Sequence, residues 1–242
     1  MKISILLPYK ENFSPNYAGA VSLFVNDITN VSVFKKSTYI FGNTNSKKKL
    51  SKNYINLDLN KKIFQSTSKS YIKKFLDYHK DLNTDLVEVH NRPNYINLIK
   101  HKFLNKLILY FHNDPLSMSG SKTVSQRIDL LNNVHKIIFN SEWSKTQFFI
   151  DLPNNLGLLS QKTFVCYQSS SKTKINFKKK EKTISFIGKL NHAKGYDLFG
   201  EAILKILNKY SDWTAKVIGD EPREKLIFKH KNLKILGFKS NK

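Results

Sequence analysis

Short apolar runs alternate with longer amphipathic segments along most of this sequence, and this alternation limits the possible fold more than any other feature. Runs such as LVEVH (residues 86–90) and LILYFH (residues 107–112) have the length and composition of buried strands. Between such runs, apolar residues recur at helical spacing, as Tyr71, Ile72 and Phe75 do in the segment 69–80. Strands that alternate with helices predict βαβ units and a parallel sheet. The predicted class is therefore α/β, with a Rossmann-like parallel sheet.

The same patterns predict two domains. The first contains strands at residues 3–8, 38–42, 86–90, 107–112, 137–141 and 163–167 and helices at residues 19–30, 69–80, 95–102, 124–133 and 143–150. We place this domain at residues 1–168 and a polar, Ser- and Lys-rich linker at residues 169–182. The alternation then restarts, with strands at 183–187, 214–218 and 233–238 and a helix at 196–210. These strands are fewer than the usual four to six of such a sheet, so we expect residues 183–242 to form an incomplete second domain.

The chain carries a formal net charge of +23, nearly all of it from lysine, since Arg92, Arg127 and Arg223 are the only arginines. Proteins that read nucleic-acid sequence usually rely on arginine forks, so this bias argues against that class. A lysine-rich surface suits anionic membranes or phosphate-bearing ligands. A genome rich in A and T, which favours lysine and asparagine codons, would also explain the charge, and both explanations stay open here.

The sequence also indicates where the protein works. The single cysteine, Cys166, excludes an internal disulfide and fits a reducing compartment. No apolar run approaches the roughly 20 residues that span a bilayer, and the apolar segment at residues 3–7 is too short for a signal peptide. We expect a cytoplasmic location. The lysine-rich amphipathic helix at residues 69–80 adds the hypothesis of peripheral contact with the inner face of an anionic membrane.

Polar side chains end three predicted strands of the first domain, at the edge where parallel sheets bind ligands. These residues are His90, Asn91 and Arg92 after the third strand, His112, Asn113 and Asp114 after the fourth, and Asn140, Ser141 and Glu142 after the fifth. One such histidine alone is more often a hydrogen-bonded structural residue, but three polar ends at one edge predict a cleft. A metal is not expected, because the carboxylates do not group with the histidines and the sequence has no HExxH, cysteine cluster or Asp-x-Asp.

Two junctions predict anion binding. Gly19 stands where the first helix begins, and a glycine there lets backbone N–H groups approach an anion. In FIGKLNHAKGYDLF (residues 186–199), Gly188 and Lys189 follow a buried strand and Lys194 precedes a helix. Two lysines beside a helix N-terminus would hold a pyrophosphate. Neither GxGxxG nor the Walker phosphate loop is present, and two solvated lysines on a loop remain the alternative.

The segment FIGKLNHAKGYDLFGEAILKIL resembles the start of the donor-binding domain of family 4 retaining glycosyltransferases, which have the GT-B fold. VEVHNRPNY, LYFHNDPLSMSG and IIFNSEWSKTQF resemble the acceptor-domain segments of bacterial members that build lipopolysaccharide and other envelope glycans. The resemblance covers essentially the whole chain. It implies that Lys189 and Lys194 hold the donor diphosphate, that Gly19 faces it and that His112 faces the transferred sugar.

The resemblance implies transfer of a sugar, with retention and without a metal or other cofactor, from a nucleotide diphosphate sugar to a glycan or lipid acceptor. Three features depart from the family: Ala18 replaces a loop glycine, Glu221 replaces the second glycine of a Gly-Asp-Gly-Pro turn, and the family's two-glutamate motif would lie beyond Lys242. We therefore expect a chain truncated within its donor domain. An inactive remnant or accessory protein that binds acceptor or membrane is the alternative, and a basic nucleic-acid-binding protein ranks behind it.

Overall fold

The computed structural model describes residues 1–59, 66–103, 106–154, 156–169, 180–221 and 224–239. The chain divides into two compact units, Met1–Ser170 and Ser171–Lys242. Most of the linker placed at residues 169–182 lies outside the described residues. Each unit is a parallel sheet with helices packed on it, so the predicted α/β class is confirmed.

Unit 1 is built on a seven-stranded sheet in the order β3-β2-β1-β4-β5-β6-β7, in which every pairing is parallel. The strands are β1 (Ile3–Leu6), β2 (Thr38–Gly42), β3 (Tyr54–Asn56), β4 (Leu86–His90), β5 (Leu107–Phe111), β6 (Lys136–Phe139) and β7 (Thr163–Val165). This is the doubly wound order: β2 and β3 are added on one side of β1, and β4 to β7 are added on the other side. The direction in which strands are added therefore reverses between β1 and β4. A ligand crevice is expected beyond the carboxyl ends of those two strands.

Within the described residues, five helices cover the two faces of this sheet: α1 (Ala20–Val31), α2 (Thr67–Leu82), α3 (Pro93–Ile99), α4 (Val124–Asn133) and α5 (Glu142–Phe149). Side-chain caps hold the starts of two of them, α4 and α5. Thr123 and Gln126 form a reciprocal capping box at α4, and the Ser141 hydroxyl accepts from the Ser144 N–H at α5. The predicted helices are confirmed, with boundary shifts of a few residues.

The core of unit 1 has two parts because successive strand residues point to opposite faces. The larger cluster lies under α2 to α5 and includes Leu6, Val89, Leu109 and Phe139. A smaller cluster lies under α1 and includes Ile5. On this α1 side, β4 and β5 carry polar and aromatic residues, so the face that α1 covers changes from apolar to polar toward the strand ends.

Two strand predictions need correction. The sequence pattern missed β3, a three-residue edge strand whose side chains are all half-buried. It also extended several strands too far: β5 ends at Phe111 and the last strand at Ile235, not at His112 and Phe238. After β5, the N–H of His112 donates to the side chain of Asn91 and not to a neighbouring strand.

Unit 2 has a three-stranded parallel sheet in the order β10-β9-β8, formed by β8 (Thr183–Ile187), β9 (Thr214–Ile218) and β10 (Leu233–Ile235). Helix α6 (Tyr196–Lys209) packs on it through Ile203 and Leu207, against Ala215. The βα connection from β8 to α6 contains the Gly-Lys and Lys-Gly pairs that the sequence singles out.

Among the helices that the structure describes, none has both the length and the apolar character to cross a membrane.

Candidate functional site

A row of polar and aromatic side chains lies on the α1 side of unit 1, at the carboxyl ends of β4 and β5. His90 ends β4 and is fully buried, and Tyr110 is its register partner on β5. The rings of His90 and Tyr110 stack with centroids 5.3 Å apart, and Tyr110 and His112 stack at 4.6 Å. Phe24 of α1 covers this stack, with its ring centroid 5.1 Å from that of His112. The aromatic stack therefore fixes the planes of both imidazoles.

The backbone of His112 is held from both neighbouring strands. Its N–H donates to Asn91 Oδ1 at 3.2 Å, and its carbonyl accepts from Asn140 Nδ2 at 2.9 Å. Asn91 has a φ of 55°, a left-handed conformation that asparagine tolerates better than most residues. The two asparagines follow β4 and β6, so three successive strand ends meet at His112.

The imidazole of His112 belongs to a series of four side chains that contact one another in turn: Glu88, His90, His112 and Gln168. Glu88 Oε2 is 3.4 Å from His90 Nε2, and His90 Nδ1 is 2.9 Å from His112 Nε2. At the outer end, Gln168 Nε2 is 2.6 Å from His112 Nδ1. Glu88 is mostly buried, so this series of side chains begins at a shielded carboxylate and ends at an exposed amide.

Burial in this stack lowers the pKa of His112 to about 3, and the neighbouring His90 adds to the effect. Burial also raises the pKa of Tyr110, whose hydroxyl donates to the carbonyl of Cys166 at 2.9 Å. At neutral pH the ring of His112 is therefore uncharged. It offers hydrogen bonds and apolar surface, not a positive charge.

The other predicted cleft residues of unit 1 lie in different environments. Arg92 is half-buried, and its Nη1 donates to the carbonyl of Asn91 at 2.7 Å. Asn113 is exposed, and Glu142 is exposed in the first turn of α5. Ser141 is used as the cap of α5, with its hydroxyl 3.1 Å from the Ser144 hydroxyl. The structure thus groups His90, Asn91 and His112 closely and leaves Asn113 and Glu142 open to solvent.

Gly19 lies beside the side chain of Glu11. The carboxylate of Glu11 lies at the N-terminus of α1, where its Oε1 accepts from the Ser22 N–H at 3.0 Å. A Cβ at Gly19 would lie 2.2 Å from that same oxygen. In this structure the glycine therefore makes room for a carboxylate of the chain itself at the end of the helix.

In unit 2, two glycines meet at the carboxyl ends of β8 and β9. The Gly188 N–H donates to the carbonyl of Ile218 at 3.0 Å. A Cβ on Gly219, whose φ is 143°, would lie 1.7 Å from the Gly188 carbonyl oxygen. Only glycine fits at position 219, and this close approach of two backbones leaves space at the strand ends.

That space is a cavity of about 260 Å³. Its lining residues are Ile187, Gly188, Lys189, Ile218, Gly219, Asp220, Phe238 and Lys239. Lys189 and Lys239 give it two cationic side chains, and Asp220 gives one anionic side chain. The cavity therefore combines apolar side chains with two cationic side chains and one anionic side chain.

The loop from Lys189 to α6 is held by its own hydrogen bonds. Asn191 Oδ1 accepts from the Lys194 N–H at 3.1 Å, and Asn191 Nδ2 donates to the buried carboxylate of Glu221 at 3.3 Å. Lys194 is exposed and is not among the residues that line the cavity, and Gly195 has a φ of 69° that ends the turn. Asn191 and Glu221 thus fix the loop that carries both lysines.

A carboxylate also sets the charge of the next residue in this loop. Glu224 accepts from both the backbone N–H and the Nδ1 of His192, at 3.1 and 2.9 Å, and this contact raises the pKa of the exposed His192.

Within the described residues, no three His, Cys, Asp or Glu side chains group as metal ligands would.

No protein-family model matches the chain, and no curated protein matches it in sequence. Solved structures do match it. Anabaena HepE, in complex with UDP-glucose, superposes with a TM-score of 0.66 at 13% identity, over 99% of this chain and 70% of HepE. WaaG, a glycosyltransferase involved in lipopolysaccharide biosynthesis, gives 0.61 at 11% identity, over 98% of this chain and 70% of WaaG.

The same fold also occurs in the UDP-GlcNAc 2-epimerase of Neisseria meningitidis bound to UDP-GlcNAc, which gives a TM-score of 0.59 at 14% identity. That match covers 99% of this chain and 73% of the epimerase. At such identities the likeness establishes the fold. The chain is α/β and GT-B-like, with one large and one small Rossmann-like sheet.

Pattern analysis missed the residues that hold the predicted ones in place. Glu88 had a usable signal, because it is the only charged residue in an apolar strand and lies two positions before His90, on the same face. Gln168 and Glu11 gave none. Both come from irregular segments that the fold brings to the site, Gln168 from 56 residues further along the chain than His112.

Proposed function

We propose that the chain is a glycosyltransferase, or a part of one, that takes a sugar from a nucleotide diphosphate sugar and transfers it to a cell-envelope glycan or lipid. One observation carries the proposal: the glycine-bounded cavity at the carboxyl ends of β8 and β9, with Lys189 at its mouth. The apolar side chains and the lysines of that cavity suit part of a nucleotide diphosphate. The GT-B-like fold supports the proposal, because HepE has that fold and was solved with UDP-glucose.

In the proposed reaction, a hydroxyl of the acceptor attacks the anomeric carbon from the side on which the diphosphate leaves. The new carbon–oxygen bond forms as the bond to the diphosphate breaks, the acceptor proton passes to the departing phosphate, and the configuration is retained. Negative charge grows on the diphosphate. Lys189 and Lys194, held by Asn191 and Glu221, would stabilise that charge without a metal.

His112 has a positioning role in this proposal. Its ring is neutral, and its backbone is hydrogen-bonded on both sides. One ring nitrogen, Nδ1, faces the exposed side chain of Gln168. Such a group orients a sugar hydroxyl by hydrogen bonding, and orientation supplies a large share of enzymatic acceleration. His90, Asn91 and Ser141 support this edge, whereas Arg92, Asn113 and Glu142 remain candidates for acceptor contact.

The test uses the intact chain and two matched double variants. We expect Lys189→Ala with Lys194→Ala to abolish binding of UDP-glucose in calorimetry. Lys205→Ala with Lys209→Ala removes the same charge from the exposed side of α6 and is expected to leave binding unchanged. Equal affinity in the two double variants would refute the diphosphate assignment. Chromatography of the products separates transfer, which releases UDP, from epimerisation, which does not, and turnover in EDTA tests metal independence.

One observation favours the second candidate, an accessory protein that binds acceptor without turnover. The N-terminus of α1 is already occupied by Glu11, and α6 carries Asp197 in its own first turn. Both carboxylates weaken the attraction of these helix ends for a phosphate. Binding of a glycan or lipid acceptor with no release of nucleotide from any donor would support this candidate over the enzyme.

We further propose that this protein is cytoplasmic and contacts anionic lipid through α2. The apolar face of α2 is buried in the core through Tyr71, Ile72 and Phe75, so the contact would be electrostatic. A cavity of about 380 Å³ opens beside Lys73, Lys80 and Lys102. Flotation with vesicles that contain anionic lipid, compared with neutral vesicles, tests this, and equal recovery with both would refute it.

A further inference from the structure

The four side chains from Glu88 to Gln168 fix the position of each ring proton. Glu88 is a carboxylate next to His90 Nε2, so that nitrogen carries the proton and donates it. His90 Nδ1 is then an acceptor, and its neighbour His112 Nε2 must be a donor. His112 Nδ1 is left as an acceptor, which agrees with the Gln168 amide nitrogen 2.6 Å away. This one arrangement satisfies every contact in the series from Glu88 to Gln168.

The alternative arrangement is unfavourable. A proton on His112 Nδ1 would leave Nε2 facing His90 Nδ1 with no proton between two lone pairs. Restoring that contact would require His90 to carry its proton on Nδ1, which removes the hydrogen bond to the mostly buried Glu88. A buried acceptor without a donor is costly, so the contacts from Glu88 to Gln168 select one tautomer of His112.

We propose that Glu88 and His90 are positioning residues that keep the proton of His112 on Nε2, so that Nδ1 accepts a hydrogen bond from a hydroxyl of the transferred sugar. Gln168 occupies that acceptor in the structure and gives way when the sugar binds. The sugar contact rests on the proposed function, whereas the tautomer does not. Glu88 acts through His90 and touches no substrate.

The location of the four groups supports this assignment. Glu88 and His90 are shielded by the sheet and α1, while Gln168, at the other end, is exposed. Of these four side chains, that of Gln168 is exposed, and it lies on the Nδ1 side of His112. A ring turned over in the same plane would lose the contact between its Nε2 and His90 Nδ1, so that contact holds Nδ1 toward Gln168. The geometry thus presents a single acceptor atom at the strand ends.

Two substitutions of Glu88 give a sharp test by nitrogen-15 NMR of the histidine rings in the intact chain. In the wild type and in Glu88→Gln, whose amide oxygen still accepts from His90, we expect the proton of His112 on Nε2. In Glu88→Ala, His90 Nε2–H loses its acceptor, and we expect the proton of His112 to move to Nδ1 in a large fraction of molecules. His90→Phe keeps the stacked ring and removes the acceptor, with the same expected shift.

Binding measurements test the sugar contact. We expect Glu88→Ala to weaken binding of UDP-glucose about tenfold and to leave binding of UDP unchanged, because one hydrogen bond to the sugar is lost. Glu88→Gln should restore wild-type affinity. His79→Phe is the control for a buried histidine in the same unit, since His79 lies near Phe103 and not near His112.

The outcomes are distinct. A proton on Nδ1 of His112 in the wild type, or an unchanged tautomer in both Glu88→Ala and His90→Phe, would overturn the positioning role. The expected tautomer shift with unchanged affinity for UDP-glucose would overturn the sugar contact. If the wild type binds neither UDP nor UDP-glucose, the proposed function fails and the sugar contact fails with it, while the NMR spectra still decide whether Glu88 and His90 position His112.

Discussion

Replacing His112 by glutamine should remove a large part of the acid sensitivity of unit 1. Glutamine is uncharged at every pH, and its amide nitrogen can still donate to His90 Nδ1. In the wild type, burial lowers the pKa of His112 to about 3 from its usual 6.5. Above pH 6.5 the ring is neutral in both the folded and the unfolded chain, so its contribution to stability is fully present. As the pH falls from 6.5 toward 3, the unfolded chain gains a proton that the folded chain does not, and stability is lost.

The magnitude follows from these two pKa values. Linkage gives a loss of about 2 kcal/mol between pH 7 and pH 5 from this one group. We expect wild-type unit 1 to lose about 2 kcal/mol more over that interval than His112→Gln. His79, whose pKa burial also lowers, is present in both proteins and cancels in the comparison.

Urea unfolding at several pH values measures this difference. Trp143 lies in unit 1 and Trp213 in unit 2, so a Trp213→Phe background makes tryptophan fluorescence report on unit 1 alone. His135→Gln removes an exposed histidine and serves as the control. If the wild type and His112→Gln lose the same stability between pH 7 and pH 5, the conclusion that His112 is held neutral by burial is refuted.

Three further outcomes are expected from urea unfolding. Gly19→Ala should destabilise unit 1 by about 1 kcal/mol, because its Cβ would push the carboxylate of Glu11 off α1; in a Glu11→Ala background the added cost should largely vanish. Gly200→Ala should destabilise unit 2 by about 1–3 kcal/mol despite the better helix propensity of alanine, because its Cβ would lie 2.1 Å from the ring of Phe228. Arg127→Met should cost about 3 kcal/mol or more, because the buried guanidinium donates to backbone carbonyls that methionine leaves unpaired, and no cost would refute that account.

The sequence predicted the elements with strong periodicity and missed the weak ones. Residues 38–42, 86–90 and 124–133 were predicted with the observed bounds, because their apolar residues recur at strand or helix spacing. Strand β3 was missed because an edge strand of three half-buried residues carries little apolar signal. Its pairing with β2 is a tertiary effect that the local pattern does not contain.

The site was predictable only where chain topology decides it. His90 ends β4 and His112 directly follows β5, and these strands are adjacent and parallel, so the sheet brings the two residues near each other. The direction of their rings was not predictable. It depends on the stack with Tyr110, on Phe24 of α1 and on Gln168, which comes from beyond the last strand of the unit. The role of Gly19 depends likewise on Glu11, a loop residue whose position no periodicity predicts.

A neutral His112 limits what this residue contributes to the proposed reaction. Because its ring carries no charge at pH 7, it cannot offset the charge that grows on a departing diphosphate. In the proposal, Lys189 and Lys194 offset that charge and His112 orients a hydroxyl. The two roles predict different responses: loss of the lysines should reduce binding of UDP and UDP-glucose alike, whereas loss of Glu88 should reduce binding of UDP-glucose only. A lysine variant that discriminated between the two ligands would contradict this division, because the charge contacted by the lysines is common to both.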